Sequence, residues 1–334
     1  MKRIILVILL LFLIIIFLFS KSNIYHKYIK SNNDYKLESR VPKLNDFINK
    51  KSIHKEVSSI LYKYPSLKKH IKATGIKIPN EYGFIPQGME KINEYTFITG
   101  YFENGNNSIC YIINDNGEIV NEVDLNTTSH VGSISYDKIN NLIFIPGLSD
   151  SVLVYNYIDF FTKDKIDYKY KIEDLADEFT YYKDKNELHI AFLKVYNNYL
   201  YIGSFNTNKP CLIKKYKINR LNNNLSFKYI NSFTVNEKVQ GIDFYTKENK
   251  KYMILSSSYG RMFSSKLYGY LYDENKLEYK ETEFIYTYPP MMEQISVNND
   301  SLYILFESNA FKYSNALDKI GYVVEIDANK LMKE

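Results

Sequence analysis

The chain contains no tryptophan and only two cysteines, Cys110 and Cys211, with no CxxC pair and no Cys/His cluster. A disulfide scaffold and a cysteine-rich zinc site are excluded, and the redox compartment stays open. Gly-rich phosphate loops, nucleophile elbows and HExxH helices are missing, so the sequence carries none of those signatures of nucleotide binding, acyl transfer or zinc hydrolysis. Blocks of one charge are missing as well. The formal charge of +5 is what remains of 43 basic and 38 acidic side chains scattered among one another. That pattern is a mixed solvated surface rather than a nucleic-acid footprint, and no nucleic-acid partner is expected.

Aromatic residues other than tryptophan are abundant, with 33 Tyr and 20 Phe. Strands favour them, which points to an all-β body. An AT-rich genome would enrich Lys, Asn, Tyr and Ile in the same way, so composition does not identify a function. The 334 residues leave room for two domains, yet all-β folds often run past about 200 residues as one unit.

One long apolar run exists, Ile4 to Phe19, after Met1-Lys2-Arg3. As a helix it would be about 24 Å long at 1.5 Å per residue, a little short of the ~20 residues that span a bilayer comfortably. Ser20 and Met1 extend it, and lysines at both ends can snorkel. Ser20-Lys21-Ser22 is a poor match to a signal-peptidase site, and no cysteine follows the run to carry a lipid. Residues 1–21 are therefore expected to anchor the chain in the cell membrane, single-pass, with the C-terminal body outside. Cleavage near Ser22 and secretion is the alternative. Residues 22–41 are polar and form a tether. Residues 42–75 carry helical spacing (Leu44, Phe47, Ile48; Val57, Ile60, Leu61, Tyr64), with Pro65 ending the second helix.

From residue 76 to 334 the texture changes to short alternating runs broken by Asn-Gly, Asn-Asn and Asp-Glu-Asn turns. One unit recurs: a small or polar cluster, an apolar strand, a turn, and a second strand rich in Tyr, Ile and Phe. It appears as PQGMEKINEYTFITGYF from Pro86, HVGSISYDKINNLIFIPGL from His130, HIAFLKVYNNYLYIGSF from His189, VQGIDFYTKENKKYMILSSSYG from Val239 and MEQISVNNDSLYILFESNA from Met292. The spacing between starts is that of a propeller blade. A β-propeller is expected, with five blades preferred and six possible. The last unit supplies three strands before the chain ends, and the segment Gly75 to Phe84 is expected to supply the fourth, removing a bare sheet edge. Cys110 and Cys211 fall on the third strands of non-adjacent blades, so two free, buried thiols are expected.

The blocks IPQGM, SHVGSI, VQGIDF, SSSYGR, PPMMEQI and LFESNA, taken in order between Tyr82 and Tyr322, resemble an uncharacterised family of bacterial secreted or membrane-anchored β-propellers. The architecture is more distantly similar to gluconolactonase-like and quinoprotein-like propellers. The resemblance implies the fold and brings no established activity with it. The chain departs from the gluconolactonase type, because the blade starts lack its acidic Glu/Asp/Asn set.

In a propeller the first residues of each innermost strand point into the central funnel. Gln87, His130, Gln240 and Glu293 are therefore expected to share one cavity, with Tyr259, Arg261 and Glu307 near its mouth. His130 can act as a general base or metal ligand. Glu293 and Glu307 can exchange protons or hold a divalent cation such as Ca²⁺. Arg261 can clamp a carboxylate or phosphate. The structural readings are equally concrete. Gln87 and Gln240 can close the ring on a neighbouring blade's backbone, and Glu307 can pair with Arg261. Two classes of function follow. One is an extracytoplasmic propeller binding a sugar, peptide or cell-wall component in its funnel. The other is a hydrolase or lyase using His130 and Glu293, with or without a metal ion. A funnel filled by side chains would favour the first.

Overall fold

The structure, a computed structural model, describes residue 60 and residues 62–332 apart from 149, 174–189, 222–223 and 274–278. The expected membrane segment, the tether and the helical residues before Ile60 lie outside these residues, as does His189. Among the described residues no helix is long and apolar enough to cross a membrane.

Twenty strands form five antiparallel four-stranded sheets. Blade 1 is β2 (Phe84–Ile92), β3 (Tyr95–Phe102), β4 (Ile109–Asn114) and β5 (Ile119–Asp124). Blade 2 is β6 (Ser135–Asp137), β7 (Leu142–Pro146), β8 (Val152–Asn156) and β9 (Tyr170–Ile172). Blade 3 is β10 (Phe192–Tyr196), β11 (Tyr199–Gly203), β12 (Cys211–Leu221) and β13 (Asn224–Val235). Blade 4 is β14 (Val239–Lys247), β15 (Lys250–Ser257), β16 (Ser265–Tyr272) and β17 (Tyr279–Tyr288). Blade 5 is β18 (Met292–Asn298), β19 (Ser301–Phe306) and β20 (Tyr322–Asp327), with β1 (Ile71–Lys77) as its outermost strand. The five blades match the five sequence units, and there is no sixth among the described residues.

The apolar residues explain why the blades stack. A single sheet cannot bury both faces, so each blade covers its neighbours. Five buried clusters lie between consecutive blades. Phe97, Cys110 and Ile112 meet Ile143 and Tyr155 between blades 1 and 2. Phe144 and Val154 meet Leu193 and Ile202 between blades 2 and 3. Phe192 and Tyr201 meet Phe244 and Met253 between blades 3 and 4. Ile254 and Phe284 meet Ile304 and Val324 between blades 4 and 5. Leu305 and Val323 meet Phe84 and Ile98 between blades 5 and 1. The last cluster closes the ring.

Closure also uses the first described strand. β1 pairs antiparallel with β20, from Ile71↔Ile326 to Lys77↔Tyr322. The closing strand thus begins at Ile71, four residues before the expected Gly75 and inside the stretch expected to be helical. Ile76 and Ile78 bury against Phe84 and Tyr111 and make the segment a strand. Helical structure ends at Lys63, before Pro65, as expected. Pro65 then opens a short helix, α1 (Pro65–His70), where its missing N–H costs nothing. Besides α1 and that preceding turn, the described helical structure comprises α2 (Asp159–Thr162) and two single 3-10 turns. Cys110 and Cys211 are free and buried in blades 1 and 3.

Candidate functional site

The inner strands reach the axis with one polar residue each at equivalent positions. These are Glu90 on β2, Ser135 on β6, Lys194 on β10, Asp243 on β14 and Ser296 on β18. Lys194 Nζ donates to both carboxylate oxygens of Glu90, at 2.9 and 2.8 Å, and lies 2.8 Å from Asp243 Oδ2. Glu90 and Lys194 come from blades 1 and 3, which are not neighbours, so this contact crosses the axis. All three side chains are buried. Burial raises the proton affinity of Glu90 even with Lys194 beside it, and the two facing carboxylates hold Lys194 firmly protonated.

One layer towards the strand starts, Gln294 spans the channel. Its Oε1 accepts from Met89 N at 2.7 Å and Ile134 N at 2.8 Å, and its Nε2 donates to Ile134 O at 2.8 Å. It therefore ties blade 5 to blades 1 and 2. The serines tie adjacent blades, with Leu193 N donating to Ser133 Oγ, Val195 N to Ser135 Oγ and Lys91 N to Ser296 Oγ. Asp243 Oδ2 accepts from Val297 N. The inner strands approach closely enough that a Cβ on Gly88 would sit 2.9 Å from the Cα of Ser133, so glycine is required there. At these two layers the channel is filled by side chains.

The chemically distinct group lies above, where the inner strands begin. The strand pairing slips by one residue at Gln87 on β2, at Gln240 on β14, and between Met292 and Ile295 on β18. Such bulges re-aim the extra side chain. Gln87 Nε2 donates to Glu307 Oε2 at 2.8 Å and to its own neighbour Pro86 O at 3.0 Å. Glu307 is also hydrogen-bonded to Glu293 and Tyr313. Glu293 is buried, and burial followed by the charge of Glu307 raises its proton affinity well above the ordinary carboxyl range. Burial raises that of Glu307 too, while the bonds from Tyr313, Glu293 and Gln87 oppose the shift. Two carboxyls in contact cannot both ionise cheaply, so the pair shares a proton.

A ladder of rings and cations roofs this pair. The rings of His130 and Tyr101 lie 4.4 Å apart. Lys312 Nζ sits 5.6 Å from the Tyr101 ring and 5.7 Å from the Tyr313 ring, and donates to Tyr101 Oη at 3.2 Å. The guanidinium of Arg261 stacks on Tyr313 at 5.1 Å. The ladder runs over blades 2, 1, 5 and 4. His130 Nδ1 is buried within it without a hydrogen-bond partner. Burial, with Lys312 adding repulsion, holds the imidazole neutral down to a pKa of about 4.

Of the residues picked from sequence, Gln87, His130, Arg261, Glu293 and Glu307 converge on this group. Gln240 does not join it by any described contact. Its Nε2 reaches Ser258 O at 3.4 Å within its own blade. Tyr259 is half exposed, with its ring 6.3 Å from that of Phe205. Three structural expectations are corrected. Gln87 and Gln240 do not bridge to a neighbouring blade's backbone; Gln294, Ser133, Ser135, Ser296 and Asp243 do so instead. Arg261 does not pair with Glu307, because the carboxyl faces inward to Gln87 and Glu293. Arg261 instead donates to Asn315 Oδ1 at 2.7 Å on the surface. Tyr101, Lys312 and Tyr313 were not anticipated, because nothing local marks them. Among the described residues no three His, Cys, Asp or Glu side chains are grouped to hold a metal ion.

No family model and no curated protein matches the chain. Among solved structures it is similar to a chain from the crystal structure of a nidogen/laminin complex, at 10% sequence identity and a TM-score of 0.38, over 75% of this chain and 83% of that one. The propeller assignment rests on the five sheets and their ring closure.

Proposed function

We propose that this chain is an extracytoplasmic β-propeller, held at the membrane by its N-terminal apolar segment, that binds a hydroxyl-rich ligand of the sugar or cell-wall class above the plugged channel. The observations that carry this reading are the buried Glu293–Glu307 pair and the unpartnered His130 Nδ1, which the Tyr101, Lys312 and Tyr313 ladder connects. Buried polar atoms are nearly always satisfied, and one left open beneath aromatic rings marks a place for a ligand's hydroxyl. The pair offers carboxyl oxygens, Gln87 adds its amide oxygen, and a sugar would enter by displacing Lys312 or Arg261 from the Tyr101 and Tyr313 rings. The filled channel below supports a pocket with one opening over a conduit.

The shared proton also favours a second reading as a hydrolase or lyase. A carboxyl kept protonated near neutral pH can serve as general acid while its partner serves as base. One experiment addresses both. The full chain is screened by thermal shift against wall saccharides, simple sugars and short peptides, and each hit is assayed for turnover. A saccharide that raises the melting temperature of the wild type and not of Glu307→Gln supports the site. Turnover of that hit, lost in Glu293→Gln, would move the assignment to the second reading. Hits that act equally on Glu307→Gln would overturn both.

A further inference from the structure

The loops on the strand-start side of blades 4 and 5 form an unusual rim. The β15–β16 loop, Ser258 to Ser264, exposes Met262 and Phe263 at 72% and 71%. Leu317, in the β19–β20 loop, is 72% exposed. Exposed side chains of this size on adjoining loops are costly unless something covers them.

The two loops are fastened to each other and to the beginning of the described chain. Arg261 binds Asn315 and stacks on Tyr313. Asp318 accepts from Lys63 Nζ at 2.6 Å and from Tyr64 Oη at 3.1 Å, and Tyr64 is also hydrogen-bonded to Ser264. Tyr62, 81% exposed, lies next to this knot. The chain that leads back to the apolar run Ile4 to Phe19 therefore leaves the domain at the same rim as the exposed Met262, Phe263 and Leu317. Charge agrees with this placement. Lys63 is neutralised by Asp318, whereas Arg261, next in sequence to Met262, is held only by Asn315 and the Tyr313 ring, and no described carboxylate pairs with it. Aromatic and aliphatic tips interspersed with Lys and Arg are the composition of surfaces that settle at a lipid–water interface. The opposite end of the blades also exposes apolar side chains, Ile139 on the β6–β7 turn and Leu221 at the end of β12, linked there by Arg220 donating to Asn140 O at 3.1 Å, but the beginning of the described chain is not fastened to it.

We infer that this rim, built from Tyr62, Met262, Phe263 and Leu317 with Arg261 beside them, docks on the anionic surface of the membrane that holds the chain. The inference rests on the anchor reading above. Docking would orient the propeller on its edge beside the bilayer instead of leaving it loose on a tether.

The absence of tryptophan allows a direct test. Phe263→Trp, with Met262→Trp as a second reporter, places a single indole at the rim, and Ile139→Trp places one at the far end. The full-length variants are reconstituted in phosphatidylcholine–phosphatidylglycerol vesicles, with and without brominated acyl chains, and flotation is scored in parallel. The expected result is that all float, that the rim tryptophans lose most of their emission to bromine and shift to the blue, and that Trp at 139 does neither. Flotation without quenching at either rim position would overturn the docking while leaving the anchor standing. Equal quenching at 139 would also overturn it, because no face would then be selected. Failure to float would overturn both.

Discussion

Replacing Lys194 with Met tests the channel plug. The substitution keeps most of the side-chain volume and removes the ammonium that lies within 2.8 to 2.9 Å of both Glu90 oxygens and 2.8 Å from Asp243. What remains is two buried carboxylates. Asp243 keeps the N–H groups of Val297 and Phe244, each at 2.7 Å, and Glu90 keeps Ser296 Oγ at 3.4 Å and a backbone bond from Tyr136. None of these neutral contacts offsets a full charge, and breaking a buried ion pair from one side typically costs about 3–5 kcal/mol. That is a large share of the ~5–15 kcal/mol that holds a domain together. The deficit should depend on pH. Burial already raises the proton affinity of Glu90, and losing Lys194 removes the charge that opposed this. In the variant the folded state then binds a proton more tightly than the unfolded chain, so stability falls as pH rises through the folded-state pKa and recovers below it. Urea unfolding of wild type, Lys194→Met and Lys194→Met with Glu90→Gln, at mildly acidic and mildly alkaline pH, measures each term. The single variant should lose most at alkaline pH, and the double variant should regain part of that loss. A loss under about 1 kcal/mol, equal at both pH values, would match an exposed pair and refute the plugged channel.

Gln87→Ala should lower stability by about 1–3 kcal/mol, measured the same way, because Glu307 and Pro86 O lose a buried donor. Ile76→Ala, on the closing strand between blades 5 and 1, should cost about 2–5 kcal/mol and raise hydrogen exchange along β20 before that in blade 3. His70 and His130 are both held neutral to a pKa of about 4. The unfolded chain binds their protons first, so their contribution is complete above the ordinary pKa of 6.5 and is lost as pH falls through about 4; His70→Gln should flatten the acid limb of a thermal-melt profile. Burial pushes the Cys110 thiol up, so it should resist alkylation until the chain is unfolded, and mass spectrometry should find no Cys110–Cys211 bridge.

Much of the ring was legible in the sequence because each blade repeats one unit at blade spacing. The polar starts Gln87, His130 and Glu293 were legible for the same reason. The filled channel has a sequence signature as well. The quartets QGME, GSIS, AFLK, QGID and EQIS each end on the residue that reaches the axis. The bulges at Gln87 and Gln240 break simple alternation, so counting inward-facing positions from the strand start selects the wrong face. The roof is of another kind. Lys312 and Tyr313 belong to a 3-10 turn in a long loop, and only tertiary packing brings them over Glu307.

The central claim is that a ligand sits beneath that roof, against Glu293, Glu307 and His130. The measurement that addresses it most directly is a crystal structure of the chain with the strongest saccharide hit from the thermal-shift screen. The account predicts the ligand within hydrogen-bond distance of Glu307 and His130 Nδ1, with the Tyr101 or Tyr313 ring against it. A ligand seated elsewhere, with the Glu293–Glu307 pair and its roof unchanged, would contradict it.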